Sequence, residues 1–502
     1  MKGKLLFIKN AAVLTAASLI LKTAGMVLRV WLSSHLLSEG LGLYQLIVSV
    51  YLLASKPLTA GLETAVTKIG SEGIRRADKV ARAALFLSVP AAIFIGSALF
   101  FAADYIAANL LCDIRAALSL KILCFSLPFM AMSAVLKGYF ISRRNSLPHS
   151  STQLIEQAVR MAAVVLLVSR WQENGIQMLC AAVLLADVIA EAASFLAVYI
   201  WGKIDMHKLK GEPIGQRGTS FALGKIALPV AGERAITAAF HTAENLLVPT
   251  VAAAAMGGRD AALSLFGVLK GMALPLVFFP SSFLAVFSTL LIPEMAESLA
   301  LGHRLKLKRT VSSTFGIIIT ISVFLAAAFF FFAEPLGMLI YKSREAAYMI
   351  RVLAPIVPFM YCESIADGMM KGMGRQVRSF WAGVIDAAAR LGLVFLLCPQ
   401  KGIDGFLLIM ILSNTLAAVY KMGQVLKVAG LKADLWNWAF KPTTAALISG
   451  STASLLCGGL SSKNNILFLC VAGLMTCIVY FALMGIWGGL PKGIIPRPRS
   501  AS

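Results

Sequence analysis

The stretch AAVLTAASLILKTAGMVLRVWL, residues 11–32, decides the fold class. As a helix it is long enough to cross a hydrocarbon core of about 30 Å. It carries Lys22 and Arg29 and no acid. An ionisable group inside such a span is costly and normally faces a cavity or a partner. Seven residues make nearly two helical turns, so the two cations share one face. A cationic stripe of this kind predicts a ligand that brings negative charge into the membrane. Lys2, Lys4 and Lys9 precede the stretch as they would in a signal peptide, but its length and its internal cations predict an uncleaved first span.

Similar stretches recur along the whole chain. Of its 502 residues 59% are hydrophobic and only 14% are charged, and the mean hydropathy is +0.81, far from soluble usage. The reading is an all-α polytopic membrane protein of about fourteen spans. They centre on Ala16, Leu53, Ile93, Phe129, Val164, Leu185, Thr237, Phe278, Val323, Met360, Leu391, Leu412, Ser449 and Leu474. The net charge of +22 is spread over alternate loops instead of one patch. One set of loops holds groups such as Arg75, Arg76, Lys79 and Arg82, or Arg304, Lys306, Lys308 and Arg309, while the intervening loops hold few cations. That distribution is a topology signal, and it predicts that both termini are cytoplasmic. It argues against nucleic-acid binding.

Short matches suggest an internal repeat. Leu41-Gly-Leu-Tyr-Gln45 resembles Leu263-Ser-Leu-Phe-Gly267, and Lys137-Gly138 matches Lys371-Gly372. The following spans carry the same i,i+4 pair, Glu156 with Arg160 and Asp386 with Arg390. Six spans per half give both halves the same orientation, hence a parallel repeat. The expected organisation is a first lobe of residues 1–215, a second of 216–435, and a helix pair with a basic tail over 436–502. The basic segment from Lys203 to Arg217 is the joint.

The charged residues inside spans divide by pattern. Lys22, Arg29, Lys56 and Lys270 are cations in leading helices of the two halves and form the candidate substrate-binding set. Arg offers a planar fork to phosphate oxygens and Lys a mobile point charge. The competing reading has Lys56, beside Pro57, snorkelling to an interface and Lys270 pairing locally. Glu156–Arg160 and Asp386–Arg390 read as structural ion pairs that neutralise themselves within a helix. Asp187 with Glu191 and Glu363 with Asp367 read as acids facing basic helices. The seventh span combines Pro229, Gly232 and Pro249 with Glu233, His241 and Glu244. Breakers and charges at membrane depth suit a helix that lines a cavity, so these three are candidates for ion coupling or gating. An interfacial helix is the alternative.

The eight cysteines lie mostly in apolar runs, without metal-ligand spacing, and read as small hydrophobes. No Walker A, HExxH or GxSxG pattern is present. The expectation is a protein that is not an enzyme and uses no cofactor or metal.

Lys22-Thr-Ala-Gly25-Met-Val-Leu-Arg29, Glu39-Gly-Leu-Gly-Leu-Tyr44-Gln45, Gly61 to Glu72, Glu156-Gln157-Ala-Val-Arg160 and Leu228-Pro229 together resemble the stage V sporulation protein B family. That family belongs to the multidrug/oligosaccharidyl-lipid/polysaccharide (MOP) flippase superfamily. The resemblance implies a MATE-like fold of two six-helix lobes plus a final helix pair. It also implies alternating-access export of a polyprenyl-diphosphate-linked glycan across a bacterial cytoplasmic membrane. The peptidoglycan-precursor flippases of the superfamily carry Arg-x-x-Gly-x-x-Arg in the first span. Here Lys22 replaces the first Arg and one extra residue precedes Arg29, so the charge carries over and the fork geometry does not. Membrane lipids and cell-wall synthesis enzymes are the implied partners. A drug or cation antiporter that depends on Glu233, Glu244 or Asp187 is one alternative. A non-transporting scaffold for wall-synthesis enzymes is another.

Overall fold

Inside a bilayer, backbone N–H and C=O groups must be satisfied within the chain, which favours helices wherever apolar runs are long. The computed structural model follows that rule. It describes residues 2–72, 77–207, 216–461 and 465–489, and every regular element among them is helical. Arg75, Arg76, Lys208, Lys210, Lys463 and the basic tail after residue 489 lie outside the described residues.

The helices are α1 (Lys2–Glu72), α2 (Ala77–Tyr105), α3 (Ala116–Cys124), α4 (Ser126–Ser142), α5 (Leu147–Arg170) and α6 (Gly175–His207). Next come α7 (Gln216–Ala252), α8 (Arg259–Val268), α9 (Leu274–Phe278), α10 (Ser281–Ala300), α11 (Arg304–Phe331) and α12 (Ala333–Tyr341). The chain continues through α13 (Arg344–Leu353), α14 (Val357–Gly372), α15 (Gln376–Ala429), α16 (Lys441–Ser461) and α17 (Asn465–Ile486). Among the described residues nine helices are long and apolar enough to cross a membrane, or ten if the bent pair α3 and α4 is one span. Two of these, Ala16–Glu72 and Gln376–Ala429, run to 57 and 54 residues, well over twice the about 20 that a crossing needs. Each contains a break, at Leu37 (φ 57°) and at Gly402 (φ 58°). The expected fourteen spans are compatible with this set.

Two further irregularities trace to proline. Pro275 and Pro442 lack an N–H, so each frees a carbonyl four residues upstream. The backbone widens there into π-helical turns, Leu269–Ala273 and Trp436–Phe440. Such turns are frequent at functional positions, and the first carries Lys270.

The chain divides into two compact units. One comprises the residues up to Thr250 together with Gly258–Gly267; the other comprises Val251–Gly257 and the chain from Val268 onward. The core of the first unit joins α1, α2, α4, α6 and α7 through Ala65, Val66, Val80, Ala84, Tyr139, Phe140, Val198 and Leu223. Without a hydrophobic drive between helices in lipid, close packing of small residues holds such cores together. Gly138 on α4 shows how: a Cβ there would stand 2.8 Å from the Glu63 carbonyl oxygen of α1. Its repeat partner, Gly372 on α14, sits likewise 2.6 Å from the Ile292 carbonyl oxygen of α10. The matched glycines therefore do the same work in each unit. In the second unit α16 and α17 pack with Phe332, just past the end of α11, through Ala453, Cys457, Phe468 and Ala472, and Tyr480 Oη donates to the Thr320 carbonyl of α11 at 2.8 Å.

Helix α8 packs within the first unit. A Cβ on Gly267 would overlap the Ser38 carbonyl oxygen, and one on Gly42 would overlap that of Leu263. Nearby, Arg115 Nη2 bridges Glu39 (2.8 Å) and Asp113 (2.7 Å). Arg259, at the start of α8, donates to the Leu111 and Cys112 carbonyls.

Candidate functional site

Three of the four candidate cations lie on α1. Its break at Leu37 separates the arm carrying Lys22 and Arg29 from the arm carrying Lys56. The side chains of all three are exposed. Gly25, between the first two, has no heavy atom within 4 Å of where a Cβ would stand, which leaves that stretch of helix face open. Among the described residues, no salt bridge links Lys22, Arg29 or Lys56 to an acid. Lys270 belongs to the second unit, is half-buried, and places its ammonium 5.4 Å from the centre of the Phe406 ring.

The other charges at membrane depth are handled differently. Arg160 on α5 reaches Asp187 on α6 through Nε (2.7 Å), and Glu156 (2.9 Å) and Glu191 (3.8 Å) through Nη2. Lys137 on α4 adds a second cation 3.4 Å from Glu156. The expected self-contained pair Glu156–Arg160 is therefore one edge of a network across three helices, with two cations and three carboxylates. Sequence spacing alone joined only Glu156 to Arg160, because Lys137 and the acids of α6 become neighbours through packing. The i,i+4 placement of Asp187 and Glu191 was the legible signal.

In the second unit Lys421 plays the pairing role. Its Nζ lies 2.9 Å from Glu363 and 3.5 Å from Asp367, and Lys371 holds the other oxygen of Asp367 at 2.6 Å. Both acidic i,i+4 pairs thus face cations, as their spacing predicted. Lys421 was not singled out in the sequence, since one lysine within a 54-residue helix carries no pattern. Asp386 accepts a hydrogen bond from Ser413 Oγ at 2.6 Å, tying the two arms of α15 together.

Helix α7 is continuous through Pro229. Glu244 is buried while Glu233 and His241 are exposed, so the three face different surroundings. Close to Glu244, Thr242 Oγ1 donates to the Ser49 carbonyl (2.9 Å) and Asn245 Nδ2 to Ser49 Oγ (2.8 Å), fastening α7 to α1. Among the described residues no three His, Cys, Asp or Glu side chains form a metal-binding group.

Residues 7–299 match the model of the family described as polysaccharide biosynthesis protein. The chain is 27% identical over 451 residues to stage V sporulation protein B of Bacillus subtilis (strain 168), covering 87% of each chain. It is 22% identical over 411 residues to sporulation protein YkvU of the same strain, covering 79% of this chain and 89% of that one. Among solved structures, the lipid II flippase MurJ in an inward closed conformation superposes with a TM-score of 0.73 at 14% identity, over 94% of this chain and 98% of that one. An inward-facing multidrug resistance MATE family transporter of the MOP superfamily gives 0.66 at 15% identity, over 84% of this chain and 98% of that one. These structural likenesses establish the fold.

Proposed function

The chain belongs to the polysaccharide biosynthesis protein family, and we propose that it is a flippase for a lipid-linked oligosaccharide in a bacterial cytoplasmic membrane. The observation that carries this reading is the contrast in pairing. Arg160, Lys137 and Lys421 sit against carboxylates, whereas Lys22, Arg29 and Lys56 stand exposed on α1 without an acidic partner among the described residues. Unpaired cations at membrane depth are retained where water or an anionic ligand solvates them. A diphosphate headgroup meets that need, and Arg29 supplies the planar fork for its oxygens. Lys270 is the fourth candidate contact for the same anion, to be tested by its own variant.

In this reading the headgroup is taken up from the cytoplasmic side and the polyprenyl tail stays in the bilayer. Alternating access is the proposed mode of transport, with 436–502 as an accessory helix pair. Glu233, His241 and Glu244 remain the residues proposed for coupling or gating. An antiporter is less well supported, because Asp187, one of the acids it would use, is already held by Arg160 at 2.7 Å.

Complementation tests the proposal. A strain lacking its wall-precursor flippase receives wild type, Lys22→Ala or Arg29→Ala at matched membrane levels. Rescue by wild type and by neither variant is expected. Rescue by all three removes the headgroup site from α1. Rescue by none points to another glycan lipid, to the antiporter or to the scaffold.

A further inference from the structure

The second unit contains a cavity of about 660 Å³, walled by α11, α14, the C-terminal half of α15 and the start of α16. Its volume falls in the range of small-molecule sites, about 300–1,000 Å³. Val323, Phe330, Phe359, Met422, Trp438 and Leu447 are typical of the wall. Apart from Cys362, Thr443 and the Trp438 indole, the wall has no polar side chain. Gly423 leaves it open on one side, since no heavy atom lies within 4 Å of where its Cβ would be.

The segment 426–435 contributes Leu426, Ala433 and Leu435 to the wall of this cavity. The same segment carries Lys427 and Lys432, both exposed. Lys308, on the second turn of α11, brings Nζ to 3.7 Å from where a Cβ on Gly430 would stand. Among the described residues none of these three lysines is salt-bridged to an acid. Lys441 Nζ donates to Asn437 Oδ1 (2.7 Å), and Asn437 Nδ2 in turn donates to Asp434. The segment 427–441 thus carries three lysines, Lys427, Lys432 and Lys441, against one acid, Asp434. Beside them Trp436 and Phe440 stack at 4.4 Å, both exposed, as aromatic residues do at the level of lipid headgroups.

We propose that this cavity is a binding site for an anionic glycerophospholipid, with one acyl chain inside and the phosphate on Lys308, Lys427 and Lys432. An apolar hollow beside a bilayer takes up hydrocarbon, and the lysine collar selects a negatively charged headgroup over a zwitterionic one. The site involves neither α1 nor its cations. Its fate is therefore independent of the flippase reading and requires only that the chain lie in a membrane.

The test uses Trp438 as reporter. The full chain is reconstituted into phosphatidylcholine vesicles containing chain-brominated phosphatidylglycerol or, in parallel, chain-brominated phosphatidylcholine. The difference in quenching between wild type and Trp438→Phe isolates the cavity signal. We expect brominated phosphatidylglycerol to quench at a lower mole fraction, with the advantage shrinking about fivefold for each of Lys427→Gln and Lys432→Gln. Gly423→Leu fills the cavity and abolishes the Trp438 signal for both lipids, with circular dichroism and gel filtration confirming that it folds. The two lysine variants are at exposed positions and carry the test alone if it does not. Equal quenching by both lipids in wild type overturns the proposal and leaves an ordinary lipid-facing crevice. Quenching that survives in folded Gly423→Leu also overturns it. So does relief of quenching by a polyprenyl phosphate at a lower mole fraction than phosphatidylglycerol, which reassigns the cavity to the tail of the transported lipid.

Discussion

Arg160 and Arg29 are the same residue type at membrane depth with opposite treatment. Arg160 touches three carboxylates from two helices, so its removal leaves Glu156, Asp187 and Glu191 with only Lys137 to balance them. Breaking a buried ion pair from one side costs about 3–5 kcal/mol. Arg160→Leu is therefore expected to lower the unfolding temperature in detergent by well over what Arg29→Leu does. Equal shifts for the two variants would mean that the network contributes little to stability. Arg29→Leu should leave the fold unaffected and remove activity, and Arg29→Lys should restore part of it, since the charge returns without the fork.

At the level of the element, two positions on α1 make opposite demands on backbone and side chain. Leu37 adopts φ 57° and ψ 172° at the break between the two arms, a region that is essentially restricted to glycine and costs about 1–3 kcal/mol for other residues. Leu37→Gly is expected to raise the unfolding temperature or leave it unchanged, and a marked fall would show that the exposed leucine itself supports the break. Gly42 lies where α1 meets α8, against Gly267. Gly267→Ala introduces a methyl onto the Ser38 carbonyl and should part the two helices, whereas Gly25→Ala, in open space, should be tolerated. Thermal unfolding of the two variants side by side checks the pair, and similar behaviour would contradict the tight crossing. The helix breaks differ in legibility. Pro399 and Gly402 mark theirs in the sequence, while Leu37 carries no turn chemistry and only the flanking span lengths locate it.

At the scale of the whole molecule, the proposed activity has an electrical signature. Moving an anionic headgroup out of a negative interior gains about 2.3 kcal/mol per charge for each 100 mV. Flipping in proteoliposomes should therefore accelerate when an inside-negative potassium diffusion potential is imposed and slow when it is collapsed with valinomycin in symmetrical potassium. A rate indifferent to potential would remove the potential as the driving force. The class of molecule was legible from residues 11–32 onward, because the length of an apolar run and the cost of a charge within it depend on local sequence alone. The resemblance carried by the short motifs from Lys22 to Pro229 is borne out by the family match, by the sporulation relatives and by the fold shared with MurJ. The repeat is an expectation of the sequence, and Gly138 and Gly372, its matched glycines, each make a close approach to a neighbouring helix. Which charges are neutralised was decided only by the tertiary structure. Lys137, Arg160, Asp187 and Glu191 are far apart in the chain and meet because α4, α5 and α6 pack together. Among the described residues Lys22, Arg29 and Lys56 find no such acidic neighbours. A charge at membrane depth is identified by its sequence, but whether it is a structural tie or a ligand site depends on what packing brings within about 4 Å of it.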